Sequence, residues 1–390
     1  MPTRRDFIAR GSKAAAAIAA SFPAASVLSG CVHRIQSQPT LPGSFRDVSG
    51  SRSLRAHARR HGLVFGSAVI ISNVQHDPDF AALIGEQCGI VVPTNELKWV
   101  ALRPAPDRYD FAQPDFLLEF AQSKGMLMRG HNLCWHSSVP RWIRTPENRV
   151  HTRQFFVEHI TTVCKHYAGK LHSWDVVNEA ILPSDAQPGG LRKSFWYEQM
   201  GPDYIELAFR TARAADPQAK LTYNDYGVEY DTEEGVERRR FILELLRGLK
   251  KRDVPIDAVG IQSHLRAAQP SGFGKGLTDY MESIRELGLE IYLTELDVNE
   301  DDITTDDLAE RDATIAHTYA DYLRVALANR AVKLVLTWDI SDRFTWLNYG
   351  PTHRREHPNR PQRSLPFDRD YRPKDAFFAI RDSFDRRREA

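Results

Sequence analysis

Cysteine is scarce in this chain of 390 residues, which has only four cysteines, at positions 31, 88, 134 and 164. No two of them form a Cys-x-x-Cys pair, and no spacing of cysteine with histidine is typical of a metal site. Cys88, Cys134 and Cys164 each lie in or near an apolar run, where a thiol commonly packs as a small hydrophobic group. We therefore predict no metal centre and expect these three thiols to be structural.

The chain also lacks an excess of charge of one sign. Its 52 Lys and Arg residues nearly balance its 51 Asp and Glu residues, which leaves a net charge of +1. A protein whose main partner is a polyanion usually has a strongly basic surface, so we expect no nucleic-acid partner. The segment Phe65–Ala68 lacks the glycine-rich loop of a dinucleotide site, and we expect no cofactor.

Residues 1–30 have the pattern of an export signal, with a basic start and an alanine-rich, weakly apolar middle. This middle part is too short and too rich in alanine to span a bilayer stably. Two arginines at positions 4 and 5, followed by Phe7 and Ile8, resemble a twin-arginine signal. The stretch Leu28–Cys31 resembles a bacterial lipobox, in which Cys31 would be lipidated, although a plain export signal with a chance cysteine is an alternative.

The next segment, residues 31–53, is rich in Pro, Ser, Gly and Gln, which predicts a flexible tether. Residues 54–390 would then form one catalytic domain. We expect a monomer that is exported across the bacterial inner membrane and stays in the periplasm or on the envelope. Its only membrane contact would be a lipid on Cys31.

From residue 54 onward, short apolar runs alternate with amphipathic helical segments. Alternation of this kind builds parallel sheets from β-α-β units, and eight units in roughly 330 residues fit a closed barrel better than an open sheet. We therefore predict an α/β fold, a (β/α)8 TIM barrel in a single domain. Strands are predicted at Leu63–Ala68, Gly89–Pro93, Met126–Gly130, His172–Val177, Lys220–Tyr223, Ala258–Ile261, Glu290–Thr294 and Lys333–Thr337. Helices are predicted at Pro114–Lys124, Thr152–His166, Asp203–Ala215, Glu233–Lys250, Leu277–Leu287 and Ala309–Asn329.

Polar and aromatic residues follow seven of these strands, always at the carboxyl end. Two of them are glutamates, because Glu179 follows the run Trp174–Val177 and Glu295 follows the run Ile291–Leu293. Barrel enzymes hold their catalytic groups at this end of the strands. Two carboxylates at one barrel mouth could be the acid and the nucleophile of a glycosidase.

The sequence resembles glycoside hydrolase family 10, the family of endo-β-1,4-xylanases, from about Phe65 to about Phe378. No single motif decides this, but the set is specific and spans nearly the whole predicted domain. The resemblance implies a retaining endo-β-1,4-xylanase acting on xylan or xylo-oligosaccharides. The matching motifs are Arg129–His131, Trp135-His136, Trp174–Glu179, Tyr223–Tyr226, Gly260–Leu265, Thr294–Asp297, Trp338…Asp342…Trp346 and Leu365–Lys374.

The same resemblance implies roles for individual residues. Glu179 would be the acid/base and Glu295 the nucleophile. Asn178 would bond the 2-hydroxyl of the sugar being cleaved, and His264 would bond the nucleophile, with Asp297 behind it. Further substrate contacts are implied for Asn95, Lys98, His131, Trp135, Gln262, Trp338 and Trp346 on the glycone side and for Tyr226 on the leaving-group side.

Two positions depart from the family pattern. Thr94 stands where Glu is usual, and Ser138 stands where Gln is usual. Both positions normally contact the sugar one unit beyond the scissile one, so the departures concern the preference for plain xylan and not hydrolysis itself. One alternative is a related retaining β-glycosidase acting on short or decorated oligosaccharides. Another is a non-catalytic carbohydrate-binding lipoprotein, which would need no acid/nucleophile pair. His136 is expected to be structural.

Overall fold

Parallel strands alternate with helices along the chain. The computed structural model of the protein describes residues 43–267, 269 and 272–387. The strands are β1 (Val64–Val69), β2 (Ile90–Pro93), β3 (Leu127–His131), β4 (Ser173–Asn178), β5 (Lys220–Asp225), β6 (Ala258–Ile261), β7 (His264–Arg266), β8 (Glu290–Asn299) and β9 (Val332–Thr337). Each of β1 to β5 pairs with the next strand, β6 pairs with β8, and β9 pairs with both β8 and β1. Eight strands therefore close into a parallel barrel, as the sequence predicts.

The eight predicted strands are all confirmed, with ends that shift by one or two residues in most of them. Two differences lie at the carboxyl-terminal mouth. Strand β8 continues to Asn299, five residues beyond its predicted end, and the short strand β7 pairs with this extension. A three-residue strand with one buried apolar residue, Leu265, has no sequence pattern that could reveal it.

Helices surround the barrel. All six predicted helices are present, as α5, α7 and α9 to α12, and shorter helices at both ends of the chain and between strands went unpredicted. The helices are α1 (Leu54–Arg60), α2 (Ile71–His76), α3 (Pro78–Gln87), α4 (Trp99–Leu102), α5 (Ala112–Ser123), α6 (Pro146–Arg149), α7 (Thr152–His166), α8 (Phe195–Met200), α9 (Tyr204–Ala215), α10 (Glu233–Lys251), α11 (Lys275–Glu286), α12 (Leu308–Ala326), α13 (Pro351–Glu356) and α14 (Asp375–Asp385). Among the described residues, no helix combines the length and the apolar character needed to cross a bilayer.

Helix α9 shows why these segments pack on the barrel. Its buried residues include Ile205, Ala208, Phe209 and Ala212, which recur at helical spacing and form one apolar stripe. The strands that the helices cover are buried on both faces, and every residue of β2, β4 and β6 is buried. A layer of helices on a sheet buried on both sides is what the alternating pattern predicts.

A glycine in β6 brings two strands close together near the mouth. A Cβ at Gly260 would lie 2.1 Å from Oδ1 of Asn224 on β5, which is closer than real Cβ contacts. Only glycine therefore leaves room for the Asn224 amide, which faces the carboxyl ends of the strands.

The folded region begins before residue 54. Residues 45–48 form a 3-10 helix whose Phe45 and Val48 are buried, although they fall in the predicted tether. The side chain of Gln87 on α3 holds this segment, because its Nε2 donates to the Val48 carbonyl at 3.1 Å. Residues three apart lie on the same side of a 3-10 helix, which lets both apolar side chains reach the core. The expected export signal and Cys31 lie outside the described residues.

The three cysteines of the described part of the chain, Cys88, Cys134 and Cys164, are unpaired and buried. This agrees with their predicted role as small hydrophobic side chains.

Candidate active site

Glu179 and Glu295 both lie at the carboxyl-terminal mouth of the barrel. Glu179 directly follows β4, and Glu295 lies in the part of β8 beyond Leu293, the last residue of β8 that pairs with β6. The Glu295 N–H donates to the carbonyl of Gln262 at 2.9 Å, which joins β8 to the end of β6. The two glutamates that the sequence singles out therefore share one end of the barrel.

The backbone of Glu179 is held on both sides. Its φ of 57° lies in the left-handed region, which is uncommon for a residue with a side chain. Its N–H donates to the carbonyl of Asn224 at 2.9 Å, and its carbonyl accepts a hydrogen bond from Nε of Arg192 at 2.8 Å. These two bonds fix the direction in which the Glu179 side chain leaves β4.

The carboxylate of Glu179 contacts side chains from the end of β4 and from the segments that follow β3 and β6. Its Oε1 accepts hydrogen bonds from Nδ2 of Asn178 at 3.3 Å and from Nε2 of Gln262 at 3.1 Å. Nδ1 of His136 lies 3.6 Å from its Oε2. His136, which we expect to be structural, thus stands beside a candidate catalytic carboxylate, and its spacing in the sequence gave no sign of this.

The carboxylate of Glu295 is buried and has a relay of partners behind it. Its Oε1 accepts from Nδ2 of Asn224 at 2.8 Å, and its Oε2 lies 3.3 Å from Nε2 of His264. Nδ1 of His264 lies 2.9 Å from Oδ1 of Asp297, and Nε1 of Trp346 donates to the other oxygen of Asp297 at 2.7 Å. The structure thus brings together the predicted nucleophile, His264 and Asp297.

This relay sets the charges of the groups in it. Burial acts to lower the pKa of His264, but the charge of Asp297 and the hydrogen bonds to Asp297 and Glu295 outweigh it and hold that pKa well above its usual range. Burial acts to raise the pKa of Glu295, yet its hydrogen bond with His264, the charges of His131 and His264, and the Asn224 donor together lower it. At neutral pH His264 is therefore a cation, and Glu295 is an anion.

Asn224 connects the two halves of the site, although no role was predicted for it within the motif Tyr223–Tyr226. Its amide nitrogen donates to Oδ1 of Asn178 and to Glu295, each at 2.8 Å, while its oxygen accepts from Oγ1 of Thr294 at 2.7 Å. Asn178 and Asn224 are direct partners in the β4–β5 ladder. The motif Tyr223–Tyr226 contains Asn224, but its link to Glu295 depends on this register, which a sequence alone does not give.

Lys98 lies against the aromatic face of Trp135. Its Nζ is 4.7 Å from the Trp135 ring centroid and 3.5 Å from Oδ1 of Asn95, which is itself exposed. Burial lowers the pKa of Lys98, while the charges of Glu295 and Glu179 act in the opposite direction. Asn95, Lys98 and Trp135, which are predicted to contact the glycone, thus form one cluster. The negative charges of both glutamates act on its Lys98.

His131 and Trp338 form the wall between that cluster and His264. Nδ1 of His131 lies 2.9 Å from Oδ2 of Asp175, whose other oxygen pairs with Arg129 in the barrel interior. The ring of Trp338 lies edge-on to His131, with centroids 5.4 Å apart, and its centroid is 6.5 Å from that of His264. The buried carboxylate of Asp175 therefore fixes the imidazole of His131 at the mouth.

Tyr226 lies between two guanidinium groups. The Arg238 guanidinium is 4.3 Å from the ring centroid, and the phenolic oxygen accepts from Arg192 at 3.1 Å and from Arg238 at 3.3 Å. A phenolic oxygen has two lone pairs, so both are engaged and its hydrogen is left to donate to another group. Arg192 therefore links Tyr226 to the backbone of Glu179.

The two residues that depart from the family pattern, Thr94 and Ser138, have short side chains with a single hydroxyl for hydrogen bonding. Oγ1 of Thr94 is buried and has no hydrogen-bond partner among the described residues. Ser138 is also buried, and its hydroxyl accepts from the N–H of Val100 at 3.3 Å. Neither side chain offers the carboxylate or the long amide expected at a family 10 site.

The comparisons with known proteins agree on the family. The model of glycosyl hydrolase family 10 matches residues 53–383. A beta-1,4-xylanase from Dictyoglomus thermophilum is 35% identical over 327 residues, which cover 81% of this chain and 86% of that protein. Endo-1,4-beta-xylanase B from Thermotoga neapolitana is 34% identical over 301 residues, which cover 75% and 80%. The crystal structure of xylanase 10B from Thermotoga petrophila in complex with xylobiose has a TM-score of 0.75 and 31% identity, over 85% of this chain and 97% of that one. The chain belongs to glycosyl hydrolase family 10.

Proposed function

We propose that the protein is a retaining endo-β-1,4-xylanase, with Glu179 as the acid/base and Glu295 as the nucleophile. Family membership and the xylanase relatives support the activity. The observation that supports the roles is the unlike surroundings of the two carboxylates. Glu295 is buried against the cationic His264, whereas the hydrogen bonds to the Glu179 carboxylate come from neutral amides. An ionised nucleophile and a carboxyl that can hold a proton are what a retaining glycosidase needs.

In the first step, the Glu295 carboxylate attacks the anomeric carbon, and the glycosidic bond to the leaving sugar breaks. Glu179 gives its proton to the departing oxygen, so that the sugar leaves as an alcohol and not as an alkoxide. The products of this step are a glycosyl ester on Glu295 and an ionised Glu179. Family 10 chemistry of this kind needs no cofactor.

In the second step, ionised Glu179 removes a proton from a water molecule, which attacks the same carbon and releases Glu295. Two inversions at one carbon restore the β-configuration. We propose that Asn178 bonds the 2-hydroxyl. Its oxygen already accepts from Asn224 and Gln262, and one hydrogen of its amide is not used by Glu179, which supports this role. Such bonds tighten as the sugar ring flattens and add several kcal/mol in glycosidases.

The cleft around the glutamates has the character of a sugar site. Sugar rings have apolar faces and polar edges, so indole rings pack on the faces while amides, imidazoles and ammonium groups bond the hydroxyls. Trp346 leaves 43% of its surface exposed although its indole N–H is bonded to Asp297, which suits a fixed platform for a sugar. We propose substrate contacts for Asn95, Lys98, His131, Trp135, Gln262, His264, Trp338 and Trp346, and a leaving-group contact for Tyr226.

A second candidate is a retaining β-glycosidase that prefers short or decorated xylo-oligosaccharides. The Oγ1 of Thr94, which has no partner within the described part of the chain, favours it. The hydroxyl of Ser138, which accepts from the backbone N–H of Val100, favours it too. A carboxylate at the first position would give charge-assisted bonds to sugar hydroxyls, roughly twice as strong as neutral ones. Thr94 and Ser138 are shorter than the usual Glu and Gln, so they would leave space for a side group on the sugar. They would also bind an unbranched sugar more weakly.

Two variants test the proposed roles, with release of reducing ends from xylan and from xylo-oligosaccharides as the assay. Glu295→Ala should abolish turnover of every substrate, because no glycosyl ester can form. Glu179→Ala should lose activity on xylan but still form the ester from an aryl glycoside with a good leaving group. Glu119→Ala, on the exposed side of α5, is the matched control and should behave as the wild type. Equal losses on both substrate types in the two variants would contradict the role assignment, and an inactive wild type would favour a binding protein.

The stereochemistry tests the mechanism separately. Proton NMR of the first product formed should show the β-anomer, which then mutarotates. A first product with the α-configuration would exclude the double displacement.

Export and lipid attachment rest on the sequence of residues 1–31 alone. We propose that the chain crosses the inner membrane by a twin-arginine signal and is held at the envelope by a lipid on Cys31. Support comes from the paired arginines and the Leu-Ser-Gly-Cys stretch. The catalytic domain would then act as a tethered monomer.

A further inference from the structure

A cavity rich in arginine lies at the opposite end of the barrel from the two glutamates. It has a volume of about 350 Å³ and opens between the last turns of α12 and α14. Its place relative to the barrel follows from Arg387, which lines it and donates from Nη2 to the carbonyl of Val332 at 2.9 Å. Val332 is the first residue of β9, so this is the amino-terminal end of the strands.

The lining of the cavity combines basic and apolar residues. Four of the residues that line it are arginines, and none is an aspartate or glutamate. Leu323 and Leu327 are among the apolar lining residues. The basic residues, which we call the arginine cluster, are Arg324, Arg330, Arg386 and Arg387.

Arg387 is the buried member of the cluster. Only 8% of its surface is exposed, and its Nε and Nη1 have no hydrogen-bond partner in the part of the chain that the structure describes. Burial and the nearby charge of Arg330 both lower the pKa of Arg387. A buried charged donor without an acceptor is costly, and native proteins rarely leave one unmatched.

Within the part of the chain that the structure describes, no buried carboxylate pairs with the cluster. Asp321 lies 3.8 Å from Arg324, but both side chains are largely exposed, so this pair contributes little. Neither Arg330 nor Arg386 has an ion pair with any described residue. Among the described residues, the cluster therefore has little compensating negative charge beside the cavity, in a protein whose charges otherwise nearly cancel.

We propose that the arginine cluster binds a small oxyanion, a carboxylate or a phosphate group, with the body of the ligand against Leu323 and Leu327. Guanidinium groups present paired N–H donors that match the oxygens of either group. The volume is at the lower end of the about 300–1,000 Å³ typical of ligand sites, which suits a ligand no larger than one sugar acid or one small phosphate ester. This site is distinct from the proposed xylanase cleft and does not depend on it.

Occupation of the cavity should stabilise the fold without changing catalysis. A ligand that binds only the folded state raises the free energy of unfolding in proportion to the logarithm of its concentration above Kd. The site joins α12, α14 and β9 at the base of the barrel, far from the catalytic mouth. The melting temperature, and not the rate of xylan cleavage, is therefore the first quantity to follow.

The test uses inorganic phosphate and D-glucuronate as separate probes, with D-glucose as the neutral control and sodium chloride to keep ionic strength constant. Calorimetric titration of the wild type should show saturable binding of at least one anion and none of glucose, and the bound anion should raise Tm. Binding of phosphate alone would assign the site to phosphate, and binding of glucuronate alone would assign it to a sugar carboxylate. Failure of both anions to bind would overturn the proposal.

Three variants locate the binding. Arg387→Gln should weaken it at least tenfold, and Arg330→Ala, which removes an exposed side chain and should not disturb folding, should weaken it by roughly twofold to fivefold. Arg247→Ala removes an exposed cation from α10 and should bind as the wild type does. If Arg387→Gln does not fold, the anion affinity of Arg330→Ala decides whether the cluster is the binding site. Affinity unchanged in the folded cluster variants, or lowered equally in Arg247→Ala, would overturn the proposal, and xylan turnover should be unaltered in all three.

Discussion

Arg192→Ala should impair the cleavage of natural substrates far more than the cleavage of activated aryl glycosides. The Arg192 side chain is buried, and its Nε donates to the backbone carbonyl of Glu179 at 2.8 Å. Glu179 has a φ of 57°, a left-handed conformation that costs a residue with a side chain roughly 1–2 kcal/mol. The substitution therefore removes one of two hydrogen bonds that hold the proposed acid in an unfavourable backbone conformation.

The size of the effect follows from this bond. A hydrogen bond with one charged partner contributes roughly 1.5–3 kcal/mol. If loss of this bond raises the activation free energy by that amount, kcat/KM on xylo-oligosaccharides should fall by roughly 10- to 150-fold. An aryl xyloside with a good leaving group needs little protonation, so its rate of ester formation should change by less than about threefold.

Two further variants separate the causes. Tyr226→Phe removes the hydrogen bonds that the phenolic oxygen accepts from Arg192 at 3.1 Å and from Arg238 at 3.3 Å. It keeps the bond from Arg192 to the Glu179 carbonyl and should therefore have the smaller effect. Lys193→Ala removes a neighbouring, exposed cation and should have none. Each variant is assayed on both substrates, with circular dichroism to show that it is folded. Equal losses on both substrates in Arg192→Ala would refute the reasoning, and so would a Tyr226→Phe variant that reproduces the whole effect.

Three other predictions address the nucleophile, the altered glycone site and the anchor. His264→Gln removes the charged partner that helps to lower the pKa of Glu295, so that pKa should rise. Because activity is lost as pH falls through the pKa of the nucleophile, the acid limb of a kcat/KM profile should move to higher pH, and an unmoved limb would count against the relay. Thr94→Glu should raise kcat/KM on unbranched xylo-oligosaccharides by roughly tenfold, about the value of one charged hydrogen bond, and leave an aryl monoxyloside unchanged. An unchanged oligosaccharide rate in folded protein would mean that another group already fills this role. Cys31→Ser in the full-length chain should move the protein from the membrane pellet to the soluble periplasm, and a wild type found wholly soluble would contradict lipidation.

The barrel could be predicted from sequence because its strands are buried on both faces. Runs such as Ala258–Ile261 are uninterrupted by polar residues, and the strand found there has the predicted bounds. Helix α7 also has its predicted bounds, since its apolar residues recur at helical spacing. By contrast, Phe45 and Val48 stand in a stretch whose composition is that of a linker, and two apolar residues were too few to reveal a buried turn.

The candidate site was predictable in part, for a different reason. Glu179 and Glu295 each end an apolar run, so a local pattern identifies them. Asn224 and Arg192 form hydrogen bonds with residues that are not adjacent to them in the sequence. Arg192 reaches the Glu179 carbonyl only because Ile181 and Leu191 pair in the loop that separates Glu179 from Arg192. Contacts of this kind depend on strand register and loop path, which no short motif records.

The short ladder between β7 and β8 sets limits on how this enzyme can be re-engineered. It places His264 directly opposite Asp297 and Arg266 opposite Asn299. Successive side chains on a strand point to opposite faces, so inserting one residue just before Leu265 would turn His264 or its partner away from the nucleophile. The backbone bonding ends at Ala267, whose N–H donates to the Asn299 carbonyl at 2.8 Å, so an insertion after Ala267 leaves the pairing untouched. Loop grafts or randomised libraries aimed at new substrates should therefore begin after Ala267 and not at the polar residues nearer the strand end.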